Sequence, residues 1–203
     1  MTKRNSARRR SRKKELKKKT TPPMGMIAVG VGIILIGLVA LFTMPEKTTE
    51  TPPQQQEEYS SIPMPVDYDA PALTLTNLAG EEESLTDYRD KVVLVNLWAT
   101  WCPPCKAELP VLQAYYAKHE AEGFVIIGVD SQEKADVVEK YIKTTDVSYP
   151  IWLDFNGDAS LAFNSYTLPS SFVIDRSGKV RLAWTGAISM SMLEKHVTPV
   201  IQE

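Results

Sequence analysis

Only two cysteines occur in the 203 residues, and they stand as Cys102-Pro103-Pro104-Cys105. Two intervening residues put both sulfurs on one helical turn, within reach of a mutual disulfide. A continuous apolar run, Val92-Val93-Leu94-Val95-Asn96-Leu97-Trp98, precedes them and reads as a strand buried on both faces. A helix over residues 103–122 follows, with Pro110 inside it. Cys102 thus falls at a helix N-terminus, where the macrodipole and free backbone N–H groups favour a thiolate. A thiolate is the attacking species in disulfide exchange. Proline suits the first helical turn, whose N–H groups lack helical partners. Pro103 and Pro104 nevertheless remove two donors, which leaves the Cys105 N–H as the first one available to the Cys102 sulfur.

Two other uses of the pair are open. A zinc site needs about four ligands, and the sequence has no second Cys-x-x-Cys; His119 and His196 are remote and expected to be solvated. A structural disulfide over so short a loop would constrain the unfolded chain little. Redox exchange is the chemistry this spacing favours, with no metal and no cofactor beyond the two sulfurs. Cys105 is followed by Lys106, so there is no haem-attachment Cys-x-x-Cys-His. A peroxidatic Thr-x-x-Cys is also absent.

The surrounding pattern is α/β. Segments at 73–76 and 84–85 suggest a β-hairpin, 124–129 a second buried strand, and 134–144 a second helix. A short strand at 151–153 and a short helix at 159–165 come next. Residues 171–175 and 180–185 form a hairpin around Arg176-Ser177-Gly178-Lys179, and 190–201 a closing helix. Alternating elements of this kind predict a mixed central sheet with helices on both faces, over residues 67–203.

The near-neutral formal charge of −2 hides two opposed parts. Residues 1–44 carry eleven Lys/Arg and one acid, and residues 45–203 carry twelve Lys/Arg and 24 acids. Residues 24–44 contain no charged residue, Asn or Gln. As a helix they would span about 30 Å, the thickness of a bilayer's hydrocarbon core. No Ala-x-Ala cleavage site follows them, so an uncleaved signal-anchor is expected rather than a secretory leader. The basic flank, residues 1–23, then stays cytoplasmic and meets anionic lipid, which places the C-terminal body outside. Read this way the flank is a topology signal, not a nucleic-acid-binding arm. Residues 45–66 are rich in Pro, Thr, Gln and Glu and read as an extended linker.

The stretch Val93-Leu-Val-Asn-Leu-Trp-Ala-Thr-Trp-Cys-Pro-Pro-Cys-Lys-Ala-Glu-Leu-Pro110 resembles the active-site signature of the TlpA/ResA-like thiol-disulfide oxidoreductases of the thioredoxin superfamily. The lead-in Ser84-Leu-Thr-Asp-Tyr-Arg-Asp-Lys-Val92 and the downstream Leu168-Pro169-Ser170-Ser171-Phe172-Val173-Ile174-Asp175 are similar to the same family. The resemblance implies a thioredoxin-like domain in which Cys102 is the exposed attacking sulfur and Cys105 the buried resolving one. It implies a cis peptide at Pro169, leaving the Leu168 backbone free to pair with a substrate strand, and Trp101 flanking the sulfurs. Thioredoxin carries a buried Asp where this chain has Asn96. In the TlpA/ResA-like branch a Glu three residues after the second cysteine serves as acid/base, and Glu108 matches it. The implied activity is reduction of extracytoplasmic protein disulfides, apocytochrome c among them, with recharging by a membrane electron-donor protein. Two alternatives stay open from the residues alone: an oxidase that installs disulfides, and a redox-inert binding module.

Overall fold

The apolar run forms the strand Val92–Trp98, and all seven of its residues are buried. The computed structural model describes residues 60–203. Alternation along this strand separates two cores. Val92, Leu94 and Trp98 pack with Leu109, Leu112 and Tyr115 on one face. Val93, Val95 and Leu97 pack with Trp152, Phe163 and Phe172 on the other. Asn96 shares the parity of the first set, so its amide points toward the helix that carries Cys105.

The strands are β1 (Met64–Asp69), β2 (Thr74–Asn77), β3 (Glu82–Ser84), β4 (Val92–Trp98), β5 (Phe124–Ser131), β6 (Ile151–Asp154), β7 (Ser170–Ile174) and β8 (Lys179–Thr185). They form one sheet in the order β1-β8-β7-β4-β5-β6-β2-β3. β4, β5 and β6 run parallel, while β7 and β8 join antiparallel on one side and β2 and β3 on the other. Parallel neighbours require crossovers. These are the helices α1 (Pro103–His119) and α2 (Ala135–Ile142). The short α3 (Asp158–Ala162) leads toward β7, and α4 (Met190–His196) and α5 (Thr198–Gln202) close the chain. The result is a mixed sheet with helices on both faces.

Several boundaries differ from expectation. The sheet begins at Met64, inside the stretch read as linker, because β1 pairs with β8 at the sheet edge and needs only one partner. α1 ends at His119 rather than at residue 122, and a 3-10 turn, Glu120–Glu122, leads to Gly123 at φ 78°. The single closing helix is two, because Pro199 cannot donate the N–H that would carry the ladder through. His119 is buried, not solvated. Its ring lies against Tyr115 and Phe124, and its Nδ1 is 2.9 Å from Glu122 Oε1. The apolar stretch 24–44 and most of the 45–66 segment lie outside the described residues. Among the described residues no helix is long and apolar enough to cross a membrane.

Candidate active site

β4 delivers the chain to the loop 99–101, and Cys102 is the N-cap of α1, with extended φ −90° and ψ 107°. Pro103 and Pro104 occupy the first helical positions. The Cys105 N–H donates to Cys102 Sγ at 3.3 Å, as expected when the two prolines have no hydrogen to give. The sulfurs are joined in a disulfide of 2.04 Å, with Cα atoms 5.3 Å apart. Cys102 was expected to be exposed. In this oxidised form it keeps only 3% of its surface, because it lies in a cleft rather than on a convex face, whereas Cys105 has none.

That cleft, of about 600 Å³, is lined among others by Trp101, Cys102, Pro104, Gln132, Tyr166 and Leu168. Trp101 stands 66% exposed at its rim. The Leu168–Pro169 peptide is cis, and Leu168 reaches the cleft while Pro169 is buried. The structure therefore brings Trp101, Cys102 and Leu168 together on one surface, with Pro169 next in the chain.

Glu108 does not line the cleft. It lies on the buried face of α1, one turn after Cys105, with 1% of its surface exposed. Asn96 Nδ2 donates to its Oε1 at 2.8 Å, and the Ile188 N–H donates to its Oε2 at 3.3 Å. Burial pushes its carboxyl up to about 8, against the two hydrogen bonds, which favour the ionised form. A carboxyl titrating near neutrality, close to a thiol that must lose a proton, suits acid–base work.

The sequence reading gave no role to a second set of residues. The Thr100 N–H and Oγ1 donate to the Glu133 carboxylate at 2.6 and 2.7 Å, which ties the loop before Cys102 to the end of β5. The Glu133 N–H donates to Asp130 Oδ1 at 3.3 Å. Asp130 is fully buried, and burial first, then Glu133, pushes its carboxyl up to about 8. The Asp154 carboxylate accepts the N–H groups of Asp158 and Ala159, holding α3 beside the cleft. No spacing rule marks these three acids, since each works through a loop contact.

Residues 66–183 match the AhpC/TSA family. The thiol-disulfide oxidoreductase ResA of Geobacillus kaustophilus is 35% identical over 131 residues, 64% of this chain and 75% of that protein. This chain belongs to the ResA-like thiol-disulfide oxidoreductases of the AhpC/TSA family. Sporulation thiol-disulfide oxidoreductase A of Bacillus subtilis is 28% identical over 166 residues, 80% of this chain and 92% of that one. A thiol:disulfide interchange protein of the thioredoxin family from Chlorobium tepidum has a solved structure with a TM-score of 0.61 and 29% identity. It covers 67% of this chain and 97% of that one. The mixed sheet and its helices are thus a thioredoxin-like fold. As a ResA-like oxidoreductase the protein exchanges thiols and disulfides, and its substrates are protein thiols and disulfides.

Proposed function

We propose that this ResA-like enzyme is an extracytoplasmic reductant of protein disulfides, held to the membrane by residues 24–44. The apolar, uncharged composition of that stretch and the basic residues ahead of it support a span with its N-terminus inside. Residues 1–23 form the cytoplasmic tail, residues beyond 44 up to the first strand tether the domain, and the catalytic domain stands outside.

In the reaction, the Cys102 thiolate attacks one sulfur of a substrate disulfide. The other substrate sulfur leaves as a thiolate, and a mixed disulfide remains. Cys105 then gives up its proton, for which Glu108 is the acceptor, and attacks Cys102 Sγ. The second substrate sulfur leaves, so the substrate gains two electrons and Cys102–Cys105 becomes the disulfide. The Leu168 backbone, ahead of Pro169, aligns the substrate strand, and Trp101 covers the approach. A membrane electron-donor protein returns the pair to dithiol. The family resemblance favours apocytochrome c as one substrate.

The observation that carries the direction is that, among the described residues, a single N–H, that of Cys105, is donated to Cys102 Sγ. A strong oxidant draws its driving force from a heavily stabilised thiolate in the reduced form. One donor offers little of that stabilisation, which favours a reducing couple.

Trapping tests the scheme. Cys105→Ser removes the resolving thiol, and a mixed disulfide between Cys102 and the physiological partner is expected to accumulate. Cys102→Ser is expected to trap nothing, and trapping through Cys105 would overturn the assignment.

A further inference from the structure

The loop that presents Cys102 is held from outside its own stretch of chain. The Cys102 N–H donates to Ala99 O at 3.2 Å, which closes a turn with Thr100 and Trp101 as its central residues. Trp101 is 66% exposed and has little packing of its own to fix that turn. Thr100 is tied down instead. Its N–H donates to Glu133 Oε2 at 2.6 Å and its Oγ1 to Glu133 Oε1 at 2.7 Å, so both carboxylate oxygens grip one residue. Two such bonds from one carboxylate fix a direction as well as a distance.

Glu133 is set in place at a cost to the backbone. Gln132, the residue before it, has φ 65°, a left-handed conformation that residues with a Cβ rarely adopt. Strain of this kind persists only where the surroundings hold it, and it gathers at functional sites. The Gln132 N–H donates to Asp154 O at 2.9 Å. Its side-chain amide lies over Gly157, where an added Cβ would stand 3.2 Å from Gln132 Nε2. The end of β6 and the approach to α3 thus hold the reversal that aims Glu133 back at Thr100. The Glu133 N–H is fixed as well, on Asp130 Oδ1 at 3.3 Å. Burial first, then Glu133, keeps the Asp130 carboxyl largely protonated at neutral pH, so it adds no second charge there.

We propose that Glu133 is a positioning residue for exchange with protein substrates. Its carboxylate clamps the turn at 99–102 to the end of β5, so that Trp101 and Cys102 meet a substrate strand in one fixed arrangement with Leu168. This rests on the reading of Trp101 and Leu168, which line the same cleft as Cys102, as the surface that receives that strand. Glu133 acts through Thr100, two residues before the attacking sulfur. A small disulfide needs only that sulfur. A polypeptide needs the sulfur and the strand surface in register at once, so the clamp matters to the polypeptide and not to the small compound.

The test is the rate at which the reduced full-length protein, freed of reductant, attacks two pyridyl disulfides at neutral pH. One is made from mercaptoethanol, the other from a short peptide with a single cysteine. Cys102 Sγ bonds to the mercaptoethanol or peptide sulfur and pyridinethione leaves; Cys105 then frees the product thiol as the Cys102–Cys105 disulfide closes. Both reactions are read by pyridinethione absorbance and run downhill whatever the potential of the couple. In wild type the peptide is expected to react faster. Glu133→Ala is expected to slow the peptide about tenfold and the small compound by less than about twofold, a split that lost folding stability alone would not produce. Glu133→Gln can still accept the Thr100 N–H with its oxygen and give an amide N–H to Oγ1, so it is expected to stay within about twofold of wild type on both. Thr100→Val removes the hydroxyl arm alone and is expected to slow the peptide about threefold, and Thr100→Ser to restore it. Thr100→Val decides the matter if Glu133→Ala does not fold. A wild-type peptide rate in Glu133→Ala or Thr100→Val, or an equal loss on both compounds, overturns the clamp. A loss in Glu133→Gln as large as in Glu133→Ala also overturns it, because charge rather than grip then matters. Equal rates for the two compounds in wild type overturn the substrate-strand reading on which the clamp rests.

Discussion

Glu108→Gln is expected to change how stability depends on pH more than it changes stability itself. In the folded protein burial raises the carboxyl from its ordinary 4.5 to about 8. The folded state therefore holds its proton over a window in which the unfolded chain has lost it. Stability that is fully present below pH 4.5 is lost as pH rises, and the loss is complete above about pH 8. At ~1.4 kcal/mol per pH unit the loss amounts to at most about 5 kcal/mol. Gln keeps the shape and does not titrate, so it escapes that loss. It has one acceptor oxygen for the two donors, Asn96 Nδ2 and the Ile188 N–H, and forfeits about 1 kcal/mol at every pH. The variant should be about 1 kcal/mol less stable than wild type at pH 4 and more stable by up to about 4 kcal/mol at pH 9. Urea unfolding of the oxidised full-length protein reads this through tryptophan fluorescence. All four tryptophans, Trp98, Trp101, Trp152 and Trp184, lie in the described domain, so the signal reports its unfolding. Parallel stability curves from pH 4 to 9 would refute the claim that Glu108 is held protonated.

Two further outcomes follow from the packing and the charge pattern. A Cβ at Gly128, opposite Asn96 in β5, would meet Ile151 Cδ1 at 2.8 Å and Trp98 Nε1 at 3.2 Å. Gly128→Ala should cost about 1–3 kcal/mol by overpacking, and unfolding at wild-type denaturant concentrations would refute that. Ser177 is exposed in the turn between β7 and β8. Ser177→Cys in intact cells should react with a membrane-impermeant maleimide, and reaction only after lysis would place the domain in the cytoplasm.

What the sequence made legible was what depends on neighbours along the chain. The apolar run at 92–98 announced a strand covered on both faces, and the Cys-Pro-Pro-Cys spacing announced a helix N-terminus with a single donor for the first sulfur. Glu108 could be named from its helical offset and the family resemblance, but its burial could not. The Asn96–Ser171 contact joins residues 75 apart and exists only through the β4–β7 register. Asp130, near the end of β5, and Glu133, in the loop after it, look like any solvated pair of acids until Thr100 is found bonded to one of them. β1 was missed because Pro63 and Pro65 continue the Pro-, Gln- and Glu-rich stretch before them and so resemble a tether, whereas an edge strand tolerates proline. His119 was misjudged because the polar end of a helix suggests solvent, whereas Tyr115 and Phe124 close over it.

The reduction potential of the Cys102–Cys105 couple tests the central claim, a reductant of protein disulfides, most directly. The full-length protein is equilibrated against dithiothreitol and glutathione buffers, and the dithiol fraction is read by thiol alkylation. With one N–H on the Cys102 sulfur, the account predicts a value nearer thioredoxin's about −270 mV than the about −120 mV of a strong oxidant. A value above about −180 mV, in the range of isomerases and oxidases, would contradict it and make the enzyme a donor of disulfides.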